Sequence, residues 1–348
     1  MLCALVMAGG KGTRFWPLST DEKPKQFLNL IGDKTMIQMT VDRITPIIPL
    51  ERVFVCTIKQ YVDLVKEQLP KLPDENIIVE PEGRNTAPCI ALSAFIIRKY
   101  YKNANMLVLP SDHLIKDENE FRFTVSSADK FVTENSSAIL TLGMTPDRPE
   151  TGYGYIKCGK KEMQVQMHDI LKVDRFVEKP NKETALQYIQ DKNYLWNGGM
   201  FVWNIDNIID QIKLYSSDTY SALNRIDTLD ENNMQLFIDN NYKYTEATSI
   251  DYAVLEKSED VYVIPSNFGW DDVGSWEAID RYRQKDVMGN ILVGNSKMLN
   301  AKNNLVISST QDIVVDGLDD IYIIENDGKI LVGRRSNVSN IKELKNIM

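Results

Sequence analysis

A glycine-rich loop with clustered cations follows the first apolar segment of the chain. The stretch "GGKGTR" begins at Gly9, and Arg14, Lys23 and Lys25 follow within the next residues. Small residues let backbone N–H groups approach an anion closely, and the cations neutralise its charge. The whole chain carries 49 acidic and 40 basic residues, a formal net charge of -9, so this concentration of cations stands out. The loop therefore predicts a phosphate site.

The spacing in this loop differs from both of the commonest phosphate loops. The Walker pattern needs four residues between Gly and Gly-Lys-[Ser/Thr], and the dinucleotide pattern needs a glycine where Phe15 stands. The two histidines, His113 and His168, exclude a His-rich zinc site and disfavour a Ser-His-Asp hydrolase. The chemistry must therefore work with little imidazole.

Composition excludes several classes of protein. An acidic chain with a pI near 5.0 does not fit a general binder of nucleic acid or membrane surfaces, which needs a broad basic face. No segment approaches about 18 uninterrupted apolar residues, and no basic leader precedes the first apolar run, so we expect neither a membrane span nor a signal peptide. The four cysteines stand singly, which favours free thiols and a cytoplasmic protein.

Short apolar runs alternate with amphipathic segments through the first half of the chain. The apolar runs lie at 2–8, 52–57, 76–80, 105–110 and 137–143, and the helical patterns lie near 35–45, 60–68, 87–101 and 118–133. This βαβα order predicts a Rossmann-like α/β fold whose parallel sheet is covered on both faces. Ligands of such sheets bind beyond the carboxyl ends of the strands, where 9–12, 80–85 and 110–113 fall.

The pattern changes after residue 150. Strand signals rich in Gly and Tyr predict an antiparallel extension packed on the first sheet, followed by polar helices from about 204 to 257. From residue 286, short β-rich runs separated by Asn, Asp and Gly predict a small all-β unit such as a short β-helix. We therefore expect a mixed, mainly parallel α/β domain at 1–285 and a small β-rich domain at 286–348.

Motifs along most of the chain resemble those of the nucleotide-sugar pyrophosphorylases, and among them the guanylyltransferases that act on mannose 1-phosphate. The motifs are "AGGKGTRFWPLST", "KPKQF", "EPEGRNTAPCIAL", "LPSDH", "TGYGYI", "FVEKP", "WNGGMFVW", "SIDYAVLEK" and "GWDDVGSW". The resemblance implies a GT-A-like nucleotidyltransferase domain that converts GTP and mannose 1-phosphate to GDP-mannose and pyrophosphate, with Mg²⁺ as cofactor. It also implies a homodimer. Longer family members carry a fused isomerase domain, for which 348 residues leave no room, so we expect a single activity.

The expected reaction needs alignment and charge neutralisation, because the attacking sugar phosphate is already an anion. Arg14 can grip the β- and γ-phosphates with its planar fork, and Lys25 can place a point charge between the reacting phosphates. The resemblance gives these residues the same roles, and it pairs Asp112 with Asp272 as ligands of one Mg²⁺, an ion that prefers hard oxygen ligands. Asp271 remains an alternative ligand.

The expected nucleotide site has a base-binding segment and a phosphate-binding loop. Its residues are Gly9, Gly10, Gly12, Thr13, Glu80, Asn85 and Ser111. Glu80 can accept hydrogen bonds from the N1–H and N2–H₂ groups of guanine, while Arg84, Asn85 or a backbone N–H meets O6, with Asn85 preferred over Arg84. A structural interpretation stands beside this one, in which Thr86 caps a helix that Pro88 helps to start.

The expected sugar-phosphate site combines small, acidic, basic and amide residues. Its residues are Gly152, Gly154, Glu178, Lys179 and Asn197. The glycines permit close approach of a sugar ring, Glu178 accepts from two hydroxyls, and Lys179 neutralises the phosphate. Gly198 stands where serine is usual in the family, which removes a hydroxyl from that position.

Two alternatives stay open. A sister enzyme could use another sugar 1-phosphate or another base, although "GRNTAP" and "SIDYAV" favour guanine and mannose. A catalytically silent nucleotide-sugar sensor on the same fold should lack a cation or a metal ligand. This chain has all four such residues, which are Arg14, Lys25, Asp112 and Asp272. For the tryptophans, a core position is the favoured interpretation; they are Trp196, Trp203, Trp270 and Trp276.

Overall fold

The computed structural model describes residues 1–177 and 179–345. Its strands are β1 (Leu2–Met7), β2 (Val53–Ile58), β3 (Ile77–Glu80), β4 (Asn105–Pro110), β5 (Leu114–Ile115), β6 (Ile139–Met144), β7 (Tyr155–Val165), β8 (His168–Val177), β9 (Tyr194–Asn204), β10 (Val261–Ser266), β11 (Trp270–Asp271), β12 (Ile291–Val293), β13 (Ser296–Leu299), β14 (Leu305–Ser308), β15 (Ile313–Asp316), β16 (Ile321–Asn326) and β17 (Lys329–Arg334). Its α-helices are α1 (Met36–Ile44), α2 (Val62–Gln68), α3 (Thr86–Tyr100), α4 (Glu118–Glu134), α5 (Lys182–Asp191), α6 (Ile205–Tyr215), α7 (Ser217–Leu223), α8 (Glu231–Asn241), α9 (Trp276–Tyr282) and α10 (Ile341–Leu344). Within these ranges, none of the helices combines the length and the apolar character that a bilayer crossing requires.

The chain forms two compact units. The first unit comprises Met1–Gly10, Thr40–Ser111 and Ile115–Trp270, and the second comprises Lys11–Met39, Asp112–Leu114 and the chain from Asp271 onwards. The second unit thus includes the cation-rich segment of the opening loop as well as the C-terminal strands. The domain boundary at residue 285 stays a prediction.

The strands of the first unit form a mixed sheet in the order β3-β2-β1-β4-β9-β6-β10-β8-β7. The pairs β3–β2, β2–β1, β1–β4 and β6–β10 are parallel, and β9 pairs antiparallel with β4, β6 and β7. Each early strand starts and ends within two residues of its predicted position. The α/β fold with its largely parallel first half is confirmed.

The strands after residue 150 belong to this sheet, whereas the sequence predicted an extension packed on it. Strand β9 lies between β4 and β6, and β7 and β8 continue the same sheet. Most of β9 is buried, which is typical of a strand covered on both faces. The favoured core interpretation of the tryptophans is confirmed, since all of them are buried; they are Trp196, Trp203, Trp270 and Trp276.

The second unit contains a short stack of parallel strands. Strand β12 pairs with β14 and β14 with β16, while β13 pairs with β15 in a separate ladder. Ser296 lies opposite Ile313 and Leu305 opposite Tyr322, an interval of 17 residues, whereas the first turn, from Ile291 to Leu305, takes 14. Asn303 donates a hydrogen bond to Asp320 across the 17-residue interval. The predicted β-helix-like unit is therefore confirmed, and β17 closes it in an antiparallel pairing with β16.

The second unit has its own apolar core. Phe15 from the opening loop packs edge-on against Trp276, with ring centroids 5.3 Å apart. Buried side chains of β12, β14 and β16 belong to the same cluster; they are Ile291, Leu305, Ile307, Tyr322 and Ile324. This packing anchors the loop segment that carries Arg14 and Lys25.

Candidate active site

The opening loop runs from the end of β1 in the first unit into the second unit. Gly12 has φ +41°, and a Cβ atom there would lie 2.8 Å from both the Cβ and the backbone nitrogen of Lys25. A side chain at this position would displace backbone, so the close approach requires glycine. Thr13 and Arg14 follow in a single 3₁₀ turn, Thr13–Phe15.

Lys25 is buried and holds two acidic segments of the second unit. Its Nζ atom lies 2.9 Å from Oδ2 of Asp112 and donates a hydrogen bond to the backbone carbonyl of Asp272. Burial raises the pKa of Asp112, but the charges of Lys25 and His113 and the hydrogen bond from Lys25 outweigh it, so this pKa lies below its usual value. Asp112 is therefore a carboxylate at neutral pH.

The structure distinguishes the two neighbouring aspartates of "GWDDVG". Asp271 is fully buried and accepts hydrogen bonds from the Val273 N–H at 2.8 Å, from Arg281 at 3.0 Å and from the Tyr282 hydroxyl at 2.9 Å. These contacts give Asp271 a structural role. The Asp272 side chain is 26% exposed, and this exposure favours it over Asp271 as the metal ligand.

Asp272 lies beside the exposed cation of the loop. One carboxylate oxygen accepts the Gly274 N–H at 2.9 Å, and the other lies 3.9 Å from Nη1 of Arg14, whose side chain is 70% exposed. A Cβ at Gly274 would lie 2.7 Å from Asp272 and 3.0 Å from Arg14, so this glycine also permits a close approach. Arg14 remains accessible to an anion.

Asp112 and Asp272 fit a hard divalent cation. Each presents a partly exposed carboxylate, and Lys25 contacts both residues. Two carboxylates leave positions for phosphate and water oxygens, which is the donor set that Mg²⁺ prefers. The second unit thus brings together Arg14, Lys25, Asp112 and Asp272, the four charged residues that the sequence analysis selected.

A cavity of about 350 Å³ lies within the first unit, at the carboxyl ends of β1, β3 and β4. Its lining includes Gly9, Gly10, Glu80, Asn85 and Asp251. The Gly9 position faces the acid, because a Cβ there would lie 3.0 Å from Oε2 of Glu80. The cavity therefore presents one carboxylate oxygen beside a wall without side chains.

Glu80 ends β3 and is almost fully buried. Its other oxygen, Oε1, accepts a hydrogen bond from the hydroxyl of the fully buried Tyr242. Burial raises the pKa of Glu80 to about 7, although the hydrogen bonds from Tyr242 and Cys56 act in the opposite direction. Glu80 is therefore close to half ionised at neutral pH.

Three neighbouring residues after Glu80, which are Arg84, Asn85 and Thr86, make different hydrogen bonds. Asn85, at φ 73°, caps α3 by accepting the Thr86 N–H at 2.8 Å. The structural interpretation that gave this cap to Thr86 was wrong, because the Thr86 hydroxyl accepts the Ile250 N–H at 2.9 Å. Arg84 donates to the carbonyl of Thr245 at 2.8 and 3.2 Å, which supports the preference for Asn85 as the base contact.

A second cavity of the first unit, also of about 350 Å³, contains most of the expected sugar-phosphate residues. Gly154, Lys179 and Asn197 line it together with Asp251. The Asn197 side chain is fixed at both ends, since it donates to Asp251 at 2.7 Å and accepts the Gly199 N–H at 3.0 Å.

Three remaining predicted residues differ in their surroundings. Gly152 donates its N–H to Glu150 at 3.0 Å. Ser111 is buried; its N–H donates to Met7 at 3.1 Å and its carbonyl accepts from Thr40. Glu178 lies outside the described residues.

Asp251 is a site residue that sequence reasoning missed. It lines both cavities of the first unit and begins a π-helical turn, Asp251–Leu255. Such turns are frequent at functional sites. The motif "SIDYAVLEK" contains Asp251, so the signal was present, but nothing in the spacing pointed to its contact with Asn197.

A buried group of two thiols and one carboxylate was also missed. The ligand atoms of Cys56, Glu80 and Cys89 all lie within 4.8 Å of one another. Cys56 is in β2, Glu80 ends the adjacent β3, and Cys89 lies in the first turn of α3. The signal was available in principle, because parallel neighbouring strands bring their carboxyl ends together.

The fold is that of a nucleotidyltransferase. A family model described as "Nucleotidyl transferase" matches residues 3–287, and the chain belongs to this family. Nucleotidyltransferases of this kind generally use a divalent metal ion.

Named relatives extend over nearly the whole chain. The mannose-1-phosphate guanylyltransferase of Escherichia coli is 35% identical over 349 residues, which are 99% of this chain and 75% of that protein. The mannose-1-phosphate guanylyltransferase of Salmonella montevideo is 37% identical over 99% of this chain and 73% of its own length. The crystal structure named mannose-1-phosphate geranyltransferase from Thermus thermophilus superposes with a TM-score of 0.85 at 30% identity, covering 99% of this chain and 98% of its own.

Proposed function

We propose that the protein transfers GMP from GTP to mannose 1-phosphate, giving GDP-mannose and pyrophosphate. The observation that carries this proposal is the buried amino group of Lys25 between the carboxylate of Asp112 and the backbone of Asp272, with Arg14 beside Asp272. A permanent cation held by two acidic segments suits a reaction in which negative charge moves between phosphates. The named relatives support the choice of guanine and mannose.

The reaction is an in-line displacement at phosphorus. An oxygen of mannose 1-phosphate forms a bond to the α-phosphorus of GTP, and the bond from that phosphorus to the bridging oxygen of the β-phosphate breaks. Pyrophosphate leaves with the electron pair. The nucleophile is an anion at neutral pH, so the reaction needs no histidine base, which agrees with the composition of the chain.

In this proposal, the opening loop and the two acidic segments bind the phosphates. Arg14 grips the β- and γ-phosphates, and Lys25 stabilises the charge that moves during transfer. Backbone N–H groups come from the opening loop, at Gly9, Gly10, Gly12 and Thr13. Ser111 directly precedes Asp112, one of the proposed metal ligands. Asp112 and Asp272 would hold Mg²⁺, which when bound neutralises phosphate charge.

The proposal assigns a second group of residues to the base and the sugar. The Oε2 atom of Glu80 accepts from the donor edge of guanine, and Asn85 meets O6. Gly152, Gly154, Glu178, Lys179 and Asn197 bind the sugar phosphate. The neutral fraction of Glu80 must lose its proton before it can accept two hydrogen bonds, so guanine and Glu80 ionisation are coupled.

We also propose a catalytic domain at 1–285, a β-rich domain at 286–348, a homodimer and a cytoplasmic location. The four free thiols support a reducing compartment. Size-exclusion chromatography with light scattering tests the dimer.

Pyrophosphate release over four nucleoside triphosphates and several hexose 1-phosphates tests the proposed reaction. We expect the highest kcat/KM with GTP and mannose 1-phosphate, because a wrong base leaves buried polar groups unpaired. A higher kcat/KM with dTTP or UTP would assign the protein to a sister activity, and no release with any pair would leave a nucleotide-sugar sensor. The Lys25→Met variant, prepared identically, controls for contaminating enzyme.

A further inference from the structure

The trio of Cys56, Glu80 and Cys89 lies at the floor of the first of the two cavities, the one that Gly9 and Gly10 also line. All three residues are nearly or fully buried. The Cys56 thiol hydrogen-bonds to both Glu80 and Cys89. Among the described residues, no other three His, Cys, Asp or Glu side chains come this close together. Nucleotidyl transfer, as proposed above, uses neither thiol.

Burial raises the pKa of the Cys56 thiol, and the hydrogen bond with Cys56 together with burial raises the pKa of the Cys89 thiol. Metal binding would therefore release both protons, and the resulting two thiolates and one carboxylate are a donor set for zinc-like cations. Zinc prefers tetrahedral coordination with Zn–S bonds of about 2.3 Å, which puts two bound sulfurs about 3.8 Å apart. The ligand atoms here lie within 4.8 Å of one another, so a shift of about 1 Å or less completes the geometry. Three protein ligands leave a fourth position for water or another molecule.

The cavity gives an ion access to the trio, and a neighbouring hydroxyl orients the carboxylate of Glu80. Glu80 and Cys89 line the cavity, so an ion reaches them from that side. The Tyr242 hydroxyl donates to Oε1 of Glu80, which is the kind of outer contact that orients a ligating carboxylate. Gly9 leaves the space beside Oε2 without a side chain.

We propose that Cys56, Cys89 and Glu80 bind one zinc-like divalent cation at the floor of this cavity and that the bound cation competes with GTP. The competition rests on the proposed function, because the ion occupies the same carboxylate that accepts hydrogen bonds from guanine. The site is chemically distinct from the Asp112 and Asp272 pair, which offers only hard oxygen ligands. Zinc would therefore inhibit the enzyme at a place that Mg²⁺ does not occupy.

Cobalt(II) is the probe for binding, because its thiolate bonds give a charge-transfer absorption that is independent of enzyme activity. We expect one equivalent of Co²⁺ per chain with this absorption, and we expect Zn²⁺ to displace it. The absorption should be lost in Cys56→Ser and in Cys89→Ser. Cys158→Ser is the matched control, since Cys158 is a partly exposed thiol in β7, and it should keep the full signal.

The folded state of each variant is checked by its thermal unfolding transition, and Cys89→Ala provides a second substitution at the cavity wall. Absence of the thiolate absorption in the wild-type protein would overturn the proposal. So would its retention in folded Cys89→Ser and Cys89→Ala, or its loss in Cys158→Ser.

The competition is measured as the apparent Kd of GTP with and without free Zn²⁺. At free Zn²⁺ ten times its own Kd, the apparent Kd of GTP should rise about tenfold and return on chelation. In Cys89→Ser the same Zn²⁺ should leave the ratio near one, which also controls for zinc binding to GTP itself. Cobalt binding without competition would overturn the competitive role, whereas cobalt binding in a protein that makes no GDP-mannose would overturn only the proposed reaction.

Discussion

Two carboxyl groups, one in each compact unit, experience opposite environments. Glu80 in the first unit is buried beside a neutral hydroxyl, and its pKa is raised to about 7. Asp112 in the second unit is partly exposed beside Lys25, and its pKa is lowered. The first arrangement suits recognition by hydrogen bonds, whereas the second keeps a permanent charge for phosphate and metal. In the proposed function, these two environments separate recognition of the base from neutralisation of phosphate charge.

The largest effect on activity should come from removing the charge of Lys25, which contacts Asp112 and Asp272. We expect Lys25→Met to lower kcat by about two to three orders of magnitude while weakening GTP binding far less, because the charge acts mainly in the transition state. Steady-state kinetics and equilibrium binding of GTP measure the two separately. Lys23→Met is the matched control, since Lys23 is exposed, and it should stay near wild type. Small and equal effects at both positions would show that the cations of the loop are not catalytic.

The adjacent aspartates should separate function from stability. Asp272→Asn should cut kcat sharply and raise the Mg²⁺ requirement, with little change in unfolding, because this side chain is partly exposed. Asp271→Asn should lower the free energy of unfolding by about 1–3 kcal/mol, since it weakens buried hydrogen bonds to charged and neutral donors. Metal titrations of activity and urea unfolding are the measurements. Normal metal dependence in Asp272→Asn, with loss of it in Asp271→Asn, would move the ligand by one residue.

The raised pKa of Glu80 should appear in the pH dependence of stability. The pKa of an exposed Glu is 4.5 and that of Glu80 in the folded protein is about 7, so the folded state holds this proton more tightly. Its stabilising contribution is fully present below pH 4.5 and is lost as the pH rises through 7. Relative to Glu80→Gln, the wild type should lose about 3 kcal/mol of unfolding free energy across that window.

Urea unfolding at several pH values measures this difference. Glu82→Gln, which alters an exposed carboxylate two residues away, is the control. A pH-independent difference between wild type and Glu80→Gln would contradict the assignment of a buried, readily protonated acid.

The smallest effect should come from removing the Tyr242 hydroxyl, which donates a hydrogen bond to Glu80. Tyr242→Phe removes the donor to Oε1, so the carboxylate is less well oriented and GTP should bind about three- to tenfold more weakly. Affinity for GTP at pH 8 and pH 6 measures the effect, which should be larger at the lower pH because the pKa of Glu80 rises further. Tyr244→Phe, at a 63% exposed position two residues on, should match the wild type. Identical affinities in both variants would show that Tyr242 does not position the acid.

Local patterns predicted the elements of this fold better than their arrangement. The apolar runs of β1 to β4 and of β6 carry their structure in short segments, so these strands were placed within two residues of their observed bounds. The insertion of β9 between β4 and β6 depends on contacts between residues about 60 to 100 positions apart, such as Met106 with Trp203, and no local signal encodes them.

The candidate site shows the same limit. Residue types and motifs selected Lys25, Asp112 and Asp272, which the structure brings together. The contact between Asn197 and Asp251 was beyond sequence reasoning, because it joins a strand to a π-helical turn 54 residues away. Burial decides between Asp271 and Asp272, and burial is a property of the folded chain.

The antiparallel strand β17 has a consequence for association between chains. A stack of parallel strands presents the same backbone pattern at its last turn as within it, and an open edge of that kind can template the addition of further strands. Because β17 pairs with β16 from Ile321 to Asn326 in the opposite direction, the next parallel turn has no place to add. Arg334 at the end of β17 is exposed, and an edge cation opposes strand pairing between molecules, whereas Ile330 and Val332 on the same side are exposed apolar side chains. The final hairpin therefore ends the parallel stack and leaves β16 without an open edge for a parallel strand of another chain.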